Sequence, residues 1–344
     1  MRFTGCATLL LLLFAAPLPA QDVVAVLKGE EGQGFYRRSI PLVLWNGYWV
    51  IREEGSNLHL YDAETGDFVQ HLGREGQGPM EWRSPVDALV VGDSLYVVDV
   101  GNVRVSVVGP DLKLVRDFRM QARAYDIEMI GSRLVVAATF HDRDRAGRAV
   151  FFTRPVSDAP VADGFDEYDI IPIEGGIRGR REITVYDDRI TTLRIDGLLR
   201  TYDMSGTLLA EVTPEKPSGW MTSVLDHEYL ENQSDKDVLR PGYVNRLMPA
   251  GDGLVWVGTS FPREDWRDRL REVEGKYYLD PADSYRAQVD LIDPMSGEVR
   301  QSVELGEALI SFVDGGYVAS SRYDDLDRQT ITIRRLPDTR EESR

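Results

Sequence analysis

Residues 73–118 read GREGQGPMEWRSPVDALVVGDSLYVVDVGNVRVSVVGPDLKLVRDF. A Gly-rich loop leads to Pro85, and four short apolar runs follow: Pro85–Val91, Leu95–Val98, Arg104–Val108 and Leu114–Phe118. The runs have strand length and are rich in β-branched and aromatic residues. Gly92-Asp93, Asp99-Val100-Gly101-Asn102 and Gly109-Pro110-Asp111 separate them, and these are residue types that tight turns need. The stretch therefore predicts a four-stranded antiparallel meander. One such meander cannot bury both of its faces, so it requires copies of itself.

The copies are present. Gly29–Gly34 (GEEGQG) repeats Gly73–Gly78 (GREGQG) at an offset of 44 residues, and Pro41 precedes Pro85 by the same interval. The second half of the unit returns as Leu60-Tyr61-Asp62 before Gly66, Thr201-Tyr202-Asp203 before Gly206, and Leu291-Ile292-Asp293 before Gly297. A period in the forties with four strands per unit predicts a β-propeller.

Ser84-Pro85, Leu95–Asp99, Asn102–Val105 and Gly109-Pro110-Asp111 resemble the NHL repeat. Degenerate forms of this unit build the secreted six-bladed NHL- and TolB-like propellers of bacteria. The resemblance implies a six-bladed ring. For activity it implies little, because that group contains binding modules, scaffolds, lyases and hydrolases.

The chain has 344 residues and a net charge of −17. Residues 1–20 read as a secretory signal peptide. Arg2 supplies the positive start, Leu9–Ala16 the apolar stretch, and Pro17-Leu18-Pro19-Ala20 the cleavage site. The expected domains are residues 1–20 as signal peptide, 21–338 as propeller and 339–344 as a charged tail. The expected location is secreted or periplasmic, without membrane insertion after cleavage. Cys6, the single cysteine, precedes the apolar stretch, so the mature chain is expected to have no disulfide, thiolate metal site or cysteine nucleophile. The acidity disfavours nucleic acid as a partner.

Strand-like runs fill five further blades. The last unit has only three strands, whereas Asp22–Leu27 is a strand without a unit. The N-terminal strand is therefore expected to close the ring and remove its exposed edge. The expected fold is an all-β six-bladed propeller with a small helical insertion in blade 5. That helix is placed at Pro262–Val273 by Trp266, Leu270 and Val273 at helical spacing. A second, weaker helical pattern covers Trp220–Tyr229.

Up-and-down connectivity then sorts the loops by face. Two-residue turns such as Asn46-Gly47 and Ser205-Gly206 lie on one face. Most long loops lie on the other, which is the expected working face. Candidate ligand-binding residues there are Trp82, Arg83, Asp99, Asn102, His141, Arg180, His227 and Arg322. Trp82 would offer contact area, and Arg83, Arg180-Arg181 and Arg322 an anion site if they converge. Asp99 either faces the channel or caps its own loop. His141 and His227 each sit beside an acid. His59 and His71 are assigned to structure, and Asp62, Asp203 and Asp293 to turns.

The Gly-rich loops carry no Lys-Ser or Lys-Thr pair and open no helix, which excludes a P-loop. No Gly-x-Ser-x-Gly motif or other nucleophile constellation is present, and no catalytic residue is assigned. No zinc site is expected, while calcium or magnesium on oxygen ligands stays open. The leading function is a monomeric binding or scaffold module for a small ligand, glycan or peptide. The rival is a metal-dependent lactonase- or lyase-like enzyme with a divalent cation in the channel.

Overall fold

The computed structural model describes residues 22–337, apart from 37, 54–55, 141–146, 157–163, 169–181, 195–196, 216–242, 264, 266–267, 269–270, 274–275, 279–284, 325 and 327. The chain starts with β1 (Val23–Leu27), which belongs to the last blade. Blade 1 is β2 (Ser39–Trp45), β3 (Tyr48–Glu53), β4 (Leu58–Asp62) and β5 (Phe68–His71). Two short strands in the following link, β6 (Arg74–Glu75) and β7 (Glu81–Trp82), pair in parallel. Blade 2 is β8 (Pro85–Val91), β9 (Ser94–Asp99), β10 (Arg104–Val108) and β11 (Leu114–Arg119). Blade 3 is β12 (Arg123–Ile130), β13 (Arg133–Phe140), β14 (Gly147–Thr153) and β15 (Asp166–Tyr168). Blade 4 is β16 (Glu182–Tyr186), β17 (Arg189–Leu193), β18 (Leu199–Asp203) and β19 (Leu208–Val212). Blade 5 is β20 (Tyr243–Gly251), β21 (Leu254–Pro262), β24 (Tyr285–Ile292) and β25 (Val299–Leu305). Its inserted hairpin is β22 (Arg271–Val273) with β23 (Lys276–Tyr278). Blade 6 is β26 (Ala308–Val313), β27 (Tyr317–Tyr323) and β28 (Gln329–Arg335), with β1 as its outer strand.

The innermost strands touch their neighbours in the order β2, β8, β12, β16, β20, β26 and back to β2, which closes the ring. Each junction between adjacent blades holds its own apolar cluster. Successive residues of one strand feed different clusters. Val97 packs toward blade 1, and Val98 toward blade 3. A strand buried on both faces needs apolar residues at consecutive positions, which is why Leu95–Val98 does not alternate with polar residues.

Ring closure rests on more than one contact. Ala25 pairs with Ile333 and Leu27 with Ile331. Beyond β1, Phe35 forms a bridge with Gln329. Gln329 is fully buried; its Oε1 accepts from the Ser39 amide (2.6 Å) and its Nε2 donates to the Ser39 carbonyl (3.1 Å). The chain start is thus fastened to the chain end on both sides of the Gly-rich link.

The helix expected over Pro262–Val273 is not formed at either end. Pro262 is the last residue of β21 and pairs with Tyr285, while Arg271–Val273 pairs with Lys276–Tyr278. Val273 and the Tyr277-Tyr278 pair favour strand. The pattern at Trp220–Tyr229 lies outside the described residues, as do the proposed signal peptide and the tail.

Candidate functional site

The long links and the loops between second and third strands share one face, as the connectivity requires. Asn46-Gly47 lies on the other. Both residues have positive φ (48° and 80°), the geometry of a tight hairpin turn that asparagine and glycine tolerate. Asp62, Asp203 and Asp293 also cap turns, accepting from the amides of Thr65 (2.8 Å), Ser205 (2.8 Å) and Met295 (2.8 Å).

On the loop-rich face, at the axis, lies a cavity of about 80 Å³. It is lined by Ile40, Pro41, Leu42 and Arg52 of blade 1, Val86 and Asp87 of blade 2, Glu182 of blade 4, and Ser311 and Phe312 of blade 6. Residues from opposite sides of the ring meet only at the axis, so this is the channel mouth. Its polar groups arise from a repeated irregularity. The innermost strands of five blades carry a register shift near their start: Pro41/Val43, Pro85/Asp87, Ala124/Asp126, Val244/Arg246 and Leu309/Ser311. A bulge re-aims the side chains that follow it. Here those positions include Asp87, Asp126 and Ser311.

Asp87 and Asp126 also serve the scaffold. An innermost strand is an edge strand, and its outward amides need acceptors. Asp87 Oδ2 accepts from the Ile127 amide of the next blade (3.1 Å), and Asp126 Oδ2 from the Ile183 amide of the blade after that (2.8 Å). Burial pushes the Asp126 carboxyl well above the usual carboxylate range, and the nearby charges of Asp87, Glu182 and Glu128 push it further. Glu128 is raised by burial and by Asp314 and Asp87, and Asp314 by burial. These groups are not sealed by surface area: Asp126 and Glu128 are half-buried and Asp314 is exposed. They are nevertheless enclosed by protein, as lining residues of a narrow passage are. The carboxylates run from the loop-rich mouth (Asp87, Asp126, Glu182) to the turn between β26 and β27 (Asp314). At the mouth, the Ser311 hydroxyl is 5% exposed and has no hydrogen-bond partner among the described residues.

The candidate residues named from sequence fall into three groups. Trp82 is fully buried between blades 1 and 2, with Nε1 donating to the Leu72 carbonyl (2.7 Å), so its indole offers no contact surface. Asp99 is fully buried and caps its loop. It accepts from the amides of Arg83 (3.1 Å), Ser84 (2.8 Å) and Asn102 (3.4 Å), and from Asn102 Nδ2 (2.6 Å). Asn102 Nδ2 also donates to the Gly76 carbonyl (2.9 Å). Arg104, which follows Asp99 and Asn102 in the sequence but is not among the candidate ligand residues, donates to the carbonyls of Gln77, Gly78 and Glu81 and fixes the Gly-rich link. Arg83 and Arg322 are exposed. His141, Arg180 and His227 lie outside the described residues, as does Arg181.

Sequence reasoning missed Asp87, Asp126, Glu128 and Glu182. Their signal was an acid inside an apolar run, such as Asp87 in PVDALVV, where a strand buried on both faces has no reason to hold one. A larger cavity, about 460 Å³, lies at the rim of blade 5 and is lined by Arg263, Asp265, Arg286, Glu304 and Gly306. Its charges neutralise one another: Arg286 with Glu304 (3.4 Å) and Arg263 with Asp265 (3.5 Å). The axial mouth is smaller and also holds Arg52, but it gathers residues from four blades at one point and is therefore the stronger candidate.

No protein-family model matches the chain, and no curated protein matches it in sequence. Solved structures do match in shape. A member of the DUF4221 family from Bacteroides vulgatus aligns at 11% identity over 92% of this chain and 98% of its own, with a TM-score of 0.58. A Bacteroides fragilis protein assigned as exported aligns at 12% identity over 91% and 94%, with a TM-score of 0.55. At such identity the likeness is one of fold, and the chain is an all-β six-bladed propeller.

Proposed function

We propose that this chain is an exported propeller of the NHL- and TolB-like kind that acts as a binding module. Its ligand would be a small molecule, or the tip of a peptide or glycan, that presents a cationic or hydrogen-bond-donating group to the axial mouth of the loop-rich face. The observation that carries this reading is the meeting of Asp87, Glu182 and the Ser311 hydroxyl, which has no hydrogen-bond partner among the described residues, at one opening with Asp126 close by. Carboxylates crowded in an enclosed passage favour a proton or another positive group beside them. The signal-like residues 1–20 and the exported assignment of a structural neighbour support the location.

The rival reading, a lactonase- or lyase-like enzyme with a channel metal, needs three or four axial ligands sharing one ion. Among the described residues the axial acids do not bring three ligand atoms to one point, and the group that does, Glu30, His59 and His71, lies away from the axis, which favours the binding module. Calorimetry with spermidine as a cationic probe and calcium as an ion probe tests the site. Saturable one-site binding of spermidine that D87N/D126N/E182Q abolishes is expected. Binding unchanged in that variant would overturn the proposal. So would a ligand located on the Asn46-Gly47 and Ser205-Gly206 face.

A further inference from the structure

Away from the axis, four side chains from four segments converge on the outer part of blade 1. His59 on β4 and His71 on β5 are direct partners across an antiparallel pair, so they project from the same face. Their rings stand 4.8 Å apart at 81°. Glu30, in the link that follows the closing strand, brings Oε1 to 3.8 Å from His71 Nε2. Glu53, at the end of β3, brings Oε2 to 3.5 Å from His59 Nε2. The ligand atoms of Glu30, His59 and His71 all lie within 4.8 Å of one another.

His59 makes this more than a surface cluster. It is 6% exposed, and its Nε2 has no hydrogen-bond partner among the described residues although a carboxylate oxygen faces it. A buried imidazole nitrogen that faces a carboxylate without a hydrogen bond is favourable only with a positive charge between them, a proton or a metal ion. Phe68 packs against both imidazoles, with ring centroids 5.9 Å from His59 and 5.1 Å from His71. Together with Tyr61 it walls one side. The His71 and Glu30 side chains are each 54% exposed, so the opposite side is open to entry.

We propose that Glu30, His59 and His71, with Glu53 beside His59, form a site for a divalent transition-metal ion of the zinc class. Two imidazole nitrogens and carboxylate oxygens are the donors such ions take, while calcium and magnesium take oxygen alone. Tetrahedral zinc with bonds of about 2.0–2.1 Å holds its ligand atoms roughly 3.3 Å apart. The two carboxylate–imidazole distances are near that value, and rotation of the exposed His71 and Glu30 side chains closes the rest. The bound ion would tie the link after β1 to blade 1, adding a cross-link to ring closure. This site is separate from the axial mouth, and its fate does not depend on that reading.

The test is zinc titration of the metal-stripped mature chain against a chromophoric chelator, with cobalt(II) absorption as a second readout. One zinc per chain is expected, with a tetrahedral cobalt band and a higher melting temperature when zinc is bound. H71A and E30Q alter exposed groups, so both should leave the metal-free melting temperature unchanged while weakening zinc at least tenfold. H59A removes a buried ring and is informative only if it folds, whereas the two surface variants decide the matter. Absence of stoichiometric zinc binding would overturn the proposal, as would zinc binding that survives the H71A/E30Q pair.

Discussion

Asp126 and Asp99 are both acids in apolar surroundings, and their environments give them opposite characters. Asp99 is encircled by donors: three amides and the Asn102 side chain. Replacing it by alanine strands buried amides and should cost about 2–4 kcal/mol, read from urea denaturation, without directly touching the axial mouth. Asp126 has one amide donor and three acidic neighbours: Asp87 from β8, Glu182 from β16 and Glu128 on its own strand. Its folded carboxyl holds its proton above the ordinary value near ~4. From there upward the folded chain binds a proton that the unfolded chain has lost, so this contribution to stability falls as pH rises. D126N keeps an acceptor for Ile183 and removes the charge. It should flatten the decline that begins above the ordinary carboxylate value and raise the melting temperature at pH 8 by about 2 °C, the size of effect that ~1 kcal/mol produces. A steeper decline in the variant would show that the charge is compensated. Asp62, Asp203 and Asp324 have the opposite sign. Turn amides lower Asp62, and Ser205 with its neighbouring amides lowers Asp203. The Arg328 side chain, then its amide, lowers Asp324. What they contribute is lost as pH falls through those lowered values.

At the scale of elements, β1 and the blade 5 insertion make opposite predictions. β1 supplies the outer ladder of blade 6 and buries Leu27 completely against blade 1. Deleting residues 22–28 exposes β28 as an edge and should cost several kcal/mol, on the order of 1 for each lost ladder bond plus the burial of Leu27. An unchanged urea midpoint would refute closure by β1. The β22–β23 hairpin pairs with itself and joins no blade sheet. Replacing residues 263–283 by a short Gly-Ser linker should therefore leave a cooperative melt, since loop length itself costs little. Loss of folding would show that the insertion belongs to the core.

For the whole molecule, the ring turns local repetition into one shared opening. Each blade alone exposes two apolar faces, and the six junction clusters cover both only when the ring is complete. The innermost strands then have nowhere to send their outward amides except the channel. The acids that receive two of them are also the acids offered to a ligand. Binding at the mouth should therefore stiffen junctions between blades 2, 3 and 4. Hydrogen exchange at Ile127 and Ile183 should slow when the cationic probe binds. Exchange unchanged at both amides would separate the ligand site from these contacts.

The fold was legible because a propeller is written in local signals. The 44-residue period, the turn dipeptides and the unbroken apolar runs each act over a few residues, and Asp22–Leu27 identified itself as a strand with no unit of its own. The capping roles of Asp62, Asp203 and Asp293 were equally local. Trp82 and Asp99 were harder: their types suit a site as well as a core, and only burial assigned them. Val273, the last residue of the helical spacing expected there, lies instead in a strand paired with Lys276–Tyr278. What the tertiary structure alone decided is which distant residues meet. Asp87, Asp126, Glu182 and Ser311 are brought together by closing the ring, and their aim depends on bulges that leave no mark in composition. His59 and His71 are twelve residues apart with nothing in their spacing to join them. Strand register sets them opposite each other, and the returning link supplies Glu30, because pairing across a sheet is fixed by the whole hairpin and its neighbours rather than by either residue.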